Sequence, residues 1–459
     1  MIRSKGRIIA SGFTVVFNLD SKQKTKMLNM NKKPKNIWKN RPPHSTIDQI
    51  IVPDGETFHL RNGIKCLGIF SDTQEITKLD ILFPGGRLAE VKKLAARYCF
   101  LMFREGTKSK TAHQLEEWVD FHGGNLRIFT NLDYSSISVS FLSKYATKLI
   151  PLIGEMISEP RLDAENLEKL QKINIQKLEL EMMKAEMISY KVITEKIFGT
   201  DHPYGYNSTS ELIQGLSIDD LQQQYQRHFG IRGASIFISG YYTDHILKCL
   251  EDTLGQITKT QEESPFILPE SEEKASAVHI LHESEYQTAI KIGRKLFKRQ
   301  HEDYPGFFMV NTILGGYFGS RLMSSVREDL GYTYNIYSST DHLTHGGYFV
   351  IATEVAHQYA AATIQEIQHQ IQLLQNELVS PEELSMVRNY LMGNFLTLID
   401  GPFNQASLHR SLMADGSTVA QFNDFVEQIK TIEPEQIRQL AQKYLMPESL
   451  WTITVGPAD

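Results

Sequence analysis

Two stretches of this chain, 216 residues apart, run through the same pattern, and that repeat constrains the fold more than any other feature. Asp219–Gly240 and Glu435–Gly456 are each 22 residues long. Both open on a polar helical pattern whose apolar positions coincide, Leu221 with Ile437 and Phe229 with Leu445. Both close on a strand ended by glycine, Ile236–Gly240 in one and Thr452–Gly456 in the other. A second landmark lies at nearly the same offset. Leu162-Asp163-Ala164-Glu165-Asn166-Leu167 corresponds to Val379-Ser380-Pro381-Glu382-Glu383-Leu384, an N-capped helix start in each case. Amphipathic helices resemble one another by chance, but two matches at one offset favour duplication. A chain of 459 residues also exceeds one ordinary core and suits two domains of about 200 residues each. The expected fold class is α+β: two homologous domains of like topology, each an antiparallel-rich sheet packed with helices.

Composition sets the borders. The first forty residues carry ten Lys and Arg against a single acid, Asp20, so residues 1–46 read as a basic, disordered arm or a targeting segment outside the fold. The stretch 258–269 is rich in Gln, Glu, Ser and Pro and reads as a linker. The domains are then expected at 47–257 and 270–459. Within the first, Thr57–Leu60 and Ile64–Phe70 around Arg61-Asn62-Gly63 predict strand, turn, strand. Ile76–Phe83 predicts a strand; Glu90–Phe103, Ala146–Ile157 and Ala164–Tyr190 predict helices.

Several function classes are excluded or disfavoured. A net charge of −6 is no basic field for nucleic acid. No apolar run reaches the eighteen or so residues of a membrane span. Cys66, Cys99 and Cys249 are widely spaced and odd in number, neither a disulfide framework nor a metal knot. They point weakly to a reducing compartment, and the expected location is cytoplasmic.

The order of landmarks resembles that of the pitrilysin/insulinase-like zinc metallopeptidases over about Ile47–Gly456. In the first half the resemblance rests on Gly85-Gly86, Gly106-Thr107-Lys108, Leu115-Glu116-Glu117-Trp118, Gly123-Gly124-Asn125-Leu126 and His202-Pro203-Tyr204-Gly205. In the second it rests on Leu314–Leu322 followed by Val326–Tyr334, its most specific piece. Active members of that family carry H-x-x-E-H on the helix before Gly-Thr, two imidazoles that grip zinc and a glutamate that acts as base. Counted back from Gly106-Thr107, those positions here are Arg97-Tyr98-Cys99-Phe100-Leu101. The family's further glutamate ligand would fall near Gln176–Glu181, where Glu179 and Glu181 are available. A catalytic zinc site needs three protein ligands, so no catalytic and no metal-binding residue is expected in this chain. The remaining histidines do not repair the loss. His279 and His282 fall on opposite faces of a strand pattern, and His342 and His345 fall in a loop-like segment before Gly346-Gly347.

What persists is the spacing Arg327 to Tyr334, with Gly331 between them to end the helix. In the family such an arginine and tyrosine hydrogen-bond the bound peptide opposite the zinc. A guanidinium fork and a phenol suit a carbonyl that gains negative charge. Tyr332, two residues before Tyr334, is a second candidate contact if the segment is a strand. The resemblance therefore implies a non-catalytic, substrate-holding subunit of a heterodimeric zinc metalloendopeptidase acting on peptides or unfolded segments. Arg327 and Tyr334 would be its substrate-binding residues. The partner would be a homologous subunit, and zinc is expected in that partner, with no cofactor in this chain. The alternative it implies is a structural or assembly protein that uses the fold without proteolysis.

Overall fold

The computed structural model describes residue 47 and residues 49–228, 233–257, 268–269, 274–283 and 286–458. The basic arm at 1–46 and most of the linker at 258–269 lie outside the described residues. The first sheet is built from β1 (Glu56–His59), β2 (Lys65–Phe70), β3 (Ile76–Pro84), β4 (Asn125–Thr130), β5 (Tyr134–Leu142) and β6 (Ser235–Gly240), in the order β1-β2-β6-β3-β5-β4. The second contains β7 (Ala277–Leu281), β8 (Gln287–Leu296), β9 (Ile336–Leu343), β10 (Gly346–Ala356) and β11 (Trp451–Gly456), in the order β7-β11-β8-β10-β9.

The two orders are the same once β1 is set aside. Each sheet has one parallel pair, β2 with β6 and β7 with β11, and antiparallel neighbours elsewhere. Each parallel pair joins a strand from the start of its half to the strand that ends it. The repeat seen in the sequence is borne out: Ser235–Gly240 and Trp451–Gly456 both sit in second place, and each is preceded by a helix, Ile218–His228 and Pro434–Tyr444. The paired helix starts are capped alike. Asp163 accepts from the Asn166 amide at 2.9 Å and Ser380 from the Glu383 amide at 3.1 Å.

A third match at the same offset is visible only in the structure. Helix Ala185–Phe198 and helix Gly401–Ala414 begin and end 216 residues apart. Each crosses to the other sheet. The first packs on β8 and β11, where Ile193, Ile197 and Phe198 are buried with Tyr348, Val350, Trp451, Ile453 and Val455. The second packs on β2, β3 and β6, where Ala406 meets Leu67, Ile69, Leu82 and Phe237. Each fully buried large side chain stabilises such a seam by roughly 1.5–3 kcal/mol. A charge pins the second seam: Asp80 on β3 is wholly buried, 3.1 Å from Arg410 and 3.0 Å from Lys78.

Two helical segments differ from expectation. The stretch Glu90–Phe103 is helical only from Ala95 to Met102, because Leu94 takes the left-handed conformation (φ 73°) just before it. The stretch Ala164–Tyr190 is two helices, Ala164–Glu181 and Ala185–Phe198. Lys184 is extended between them and redirects the chain so that the second helix can reach the other sheet.

Candidate functional site

Arg327 lies on a short π-helical segment, Met323–Asp329, that follows the buried helix Tyr304–Gly315. π-Turns are rare and concentrate at functional sites. Met323 and Val326 anchor the segment in the core, and Arg321 fixes its start by a two-point pair with Glu383 at 2.9 and 2.8 Å. Arg327 itself is half-buried, its guanidinium carbon 4.6 Å above the ring of Phe318. Gly331 (φ 67°) then turns the chain, and the Tyr332 amide closes the segment on the Val326 carbonyl at 3.0 Å.

The expectation that Tyr332 and Tyr334 share one face of a strand is corrected here. β9 starts only at Ile336. The Thr333 hydroxyl donates to the Glu354 carbonyl at 2.7 Å and the Thr353 hydroxyl to the Asn335 carbonyl at 2.9 Å, which holds residues 333–335 beside β10 as a loop. Tyr332 lies flat on Tyr359, ring centres 4.4 Å apart and planes 9° apart, so its ring is packing. Tyr334 projects into solvent at 96% exposure. It borders a hollow of about 210 Å3 whose wall includes Asn335, Tyr337, Lys291, Glu354 and Glu186. Arg327 is not among the residues of that wall.

Lys291 and Glu354 escaped the sequence reasoning, although a lysine between Ile290 and Ile292 in a buried strand was a signal. Burial pushes the Lys291 ammonium below its ordinary value, against the pull of Glu186 and Glu354. Burial raises the Glu354 carboxyl, and the like charge of Glu186 adds to that.

The other candidate centre is helix Ala95–Met102. Tyr98, Cys99 and Phe100 are buried, whereas Arg97 is exposed and Leu101 half-buried. Arg97 and Leu101, one turn apart, border the same hollow of about 320 Å3. Arg97 also borders an adjoining hollow of about 200 Å3 with Glu181, while Glu179 is not on its wall. The positions counted from Gly106-Thr107 thus do converge in space, and the helix Ala164–Glu181 does bring a carboxylate to them. The donor set does not suit zinc. A guanidinium repels the ion, an isobutyl group offers no lone pair, and Glu181 alone is one ligand of three. Among the described residues no group of three or more His, Cys, Asp or Glu converges as a metal site.

The loop leading into that helix is held by a buried carboxylate. Glu90 Oε2 accepts from the Leu94 amide at 3.0 Å and from the Tyr206 hydroxyl, while its Oε1 is buried without a hydrogen-bond partner. Burial pushes this carboxyl up to about 7, although Tyr206, the Leu94 amide and Arg87 oppose the shift. Tyr206 reaches Glu90 because the turn His202–Gly205 is tight. A Cβ on Gly205 would stand 1.9 Å from the Gly199 carbonyl oxygen.

The histidines have structural partners. His279 spans Thr454 Oγ1 at 2.9 Å and the Pro457 carbonyl at 3.1 Å. His342 lies on β9 and not in a loop. It bonds the Phe297 carbonyl at 3.2 Å, and burial lowers its pKa to about 4. Cys66 and Cys99 are buried with thiol pKa values raised by desolvation, which leaves them unreactive. A separate cavity of about 800 Å3, with Tyr304, Phe308, Phe395, Phe422 and Phe425 on its wall, contains neither Arg327 nor Tyr334. Among the described residues no helix is long and apolar enough to cross a membrane.

Comparison with known proteins gives a consistent result. Residues 70–201 match the family described as insulinase (peptidase family M16), and residues 215–391 match the peptidase M16 inactive domain. A Bacillus subtilis (strain 168) protein described as an uncharacterized zinc protease is 20% identical over 406 residues, covering 87% of this chain and 97% of the relative. A Helicobacter pylori (strain ATCC 700392 / 26695) protein described as a non-peptidase homolog is 23% identical over 317 residues, covering 68% and 72%. The solved peptidase M16 inactive domain from Pseudomonas fluorescens shares the fold. Its TM-score is 0.80 at 20% identity, over 89% of this chain and 99% of that one.

Proposed function

The chain belongs to the peptidase M16 (insulinase) family, and from that premise we propose that it is the non-catalytic, substrate-holding subunit of a heterodimeric zinc metalloendopeptidase acting on peptides or unfolded segments. A homologous partner carries the zinc, and Arg327 and Tyr334 meet the peptide across the shared chamber. The observation that supports this most is the contrast between the two candidate centres. Arg97 and Leu101 present a cation and an aliphatic group where metal ligands would have to stand. Tyr334 is exposed, and Arg327 is held over Phe318 with its donors unused by any hydrogen bond or ion pair among the described residues.

In this role Arg327 supplies N–H donors to a peptide carbonyl as it gains charge, and Tyr334 supplies one O–H donor. Deleting one donor of that kind costs up to about 10²–10³ in turnover. Arg327→Ala is expected to lower turnover by the reconstituted pair at least about tenfold, with assembly intact by size-exclusion chromatography. Unchanged turnover in the mutant pair would remove Arg327 from the site.

A second reading, a structural or assembly protein without proteolysis, is favoured by one relative described as a non-peptidase homolog. It predicts that the chain binds a partner and that no peptide is turned over by the pair, with or without Arg327.

A further inference from the structure

We infer that the hollow beside Arg97 has become a carboxylate-binding site that takes a peptide carboxylate next to an apolar side chain. The charge there is the reverse of a metal cradle. Arg87 and Arg97 border both adjoining hollows, and the smaller one adds Lys177 and Lys191 against a single acid, Glu181. Most of these charges already have company. Glu181 lies 3.8 Å from Lys177. Arg87 donates to the Tyr206 carbonyl at 2.7 Å, lies 4.5 Å from the centre of that ring, and feels Glu90. Lys191 shares the field of Glu211. Arg97 has no hydrogen bond or ion pair among the described residues, and it stands at the junction of the two hollows.

The shape selects the ligand. The larger hollow is walled by Phe100, Leu101, Ile128 and Leu132, and so suits an apolar side chain. The smaller one sets the cations Arg87, Arg97, Lys177 and Lys191 among Leu178, Met182, Met187 and Ile213 and, at about 200 Å3, has room for a carboxylate but not for a large cofactor. A ligand that fills both carries an apolar group and a carboxylate one side chain apart, with Arg97 between them. A guanidinium fork matches a carboxylate in two parallel hydrogen bonds. A peptide ending in an aliphatic residue has this form, and so does an internal glutamate beside a leucine. The inference goes beyond the role of Arg327 and Tyr334 and does not depend on it.

The test uses the full chain alone and fluorescence anisotropy. The probes are a fluorescein-labelled pentapeptide ending in leucine with a free carboxylate, the same peptide as its C-terminal amide, and an amide with glutamate before the leucine. The free acid is expected to bind, and the plain amide to bind at least tenfold more weakly. Arg97→Gln, a change at an exposed position, is expected to lose the same tenfold while keeping the wild-type circular dichroism spectrum. Rescue of binding in the glutamate-containing amide would identify a side-chain carboxylate as the source; no rescue would identify the C-terminus. Equal binding of free acid and plain amide, or no effect of Arg97→Gln, would overturn the assignment.

Discussion

The carboxyl of Glu90 offers a quantitative test of how the loop before helix Ala95–Met102 is held. Its pKa is raised from about 4.5 to about 7 because burial outweighs the two donors and Arg87. A raised carboxyl pKa means that between those values the folded chain binds more protons than the unfolded one. Stability then falls as pH rises through that window and is flat above it. A shift of about 2.5 units corresponds to an upper figure of about 3 kcal/mol. Glu90→Gln fixes the neutral form. Its amide oxygen can keep the bonds from Leu94 and Tyr206, and its NH2 replaces the oxygen that has no partner. Urea unfolding of both proteins at pH 5, 6, 7 and 8 isolates the contribution of this group as a difference. Relative to wild type, the glutamine variant is expected to gain about 1–3 kcal/mol between pH 5 and pH 8. A difference that does not change with pH would mean that Glu90 is ionised throughout, and the buried-carboxyl account of the loop would be wrong.

Three further outcomes follow from the geometry. Asp80→Ala leaves Arg410 and Lys78 without their shared partner at the seam between β3 and helix Gly401–Ala414. It is expected to lower unfolding stability by about 3–5 kcal/mol, measured by denaturant titration. Phe318→Ala removes the ring under Arg327 and is expected to lower kcat/KM of the reconstituted pair about two- to fivefold, the size of one exposed cation–π contact. Arg97→His with Leu101→His places two imidazoles one turn apart beside Glu181. The double variant is expected to bind one equivalent of zinc by equilibrium dialysis, whereas the wild-type chain alone binds none; failure of the variant would show that Glu181 is out of reach.

The duplication was legible because two of its three matches lie in short segments whose caps and apolar positions depend on local chemistry, such as Asp163 and Ser380. The third, helix Ala185–Phe198 against Gly401–Ala414, was not. The two helices face different sheets and share no residue at any matched position, so only topology relates them. At the site, the i, i+4 spacing of Arg97 and Leu101 was enough to place both on one helix face, and the hollow that face borders is visible only in the structure. The roles of Tyr332 and Tyr334 could not be separated by spacing, because the difference is made by Tyr359, far along the chain. Glu90 was invisible for the same reason, since its partner Tyr206 lies on a distant turn.

The central claim is that this chain holds substrate for a zinc carried elsewhere. It is tested most directly by measuring peptidase turnover and zinc content of the purified chain, alone and mixed with a homologous subunit that has an intact H-x-x-E-H. The account predicts no zinc and no turnover alone, one zinc per heterodimer on mixing, and turnover that appears only then. Stoichiometric zinc with turnover in the isolated chain would contradict it.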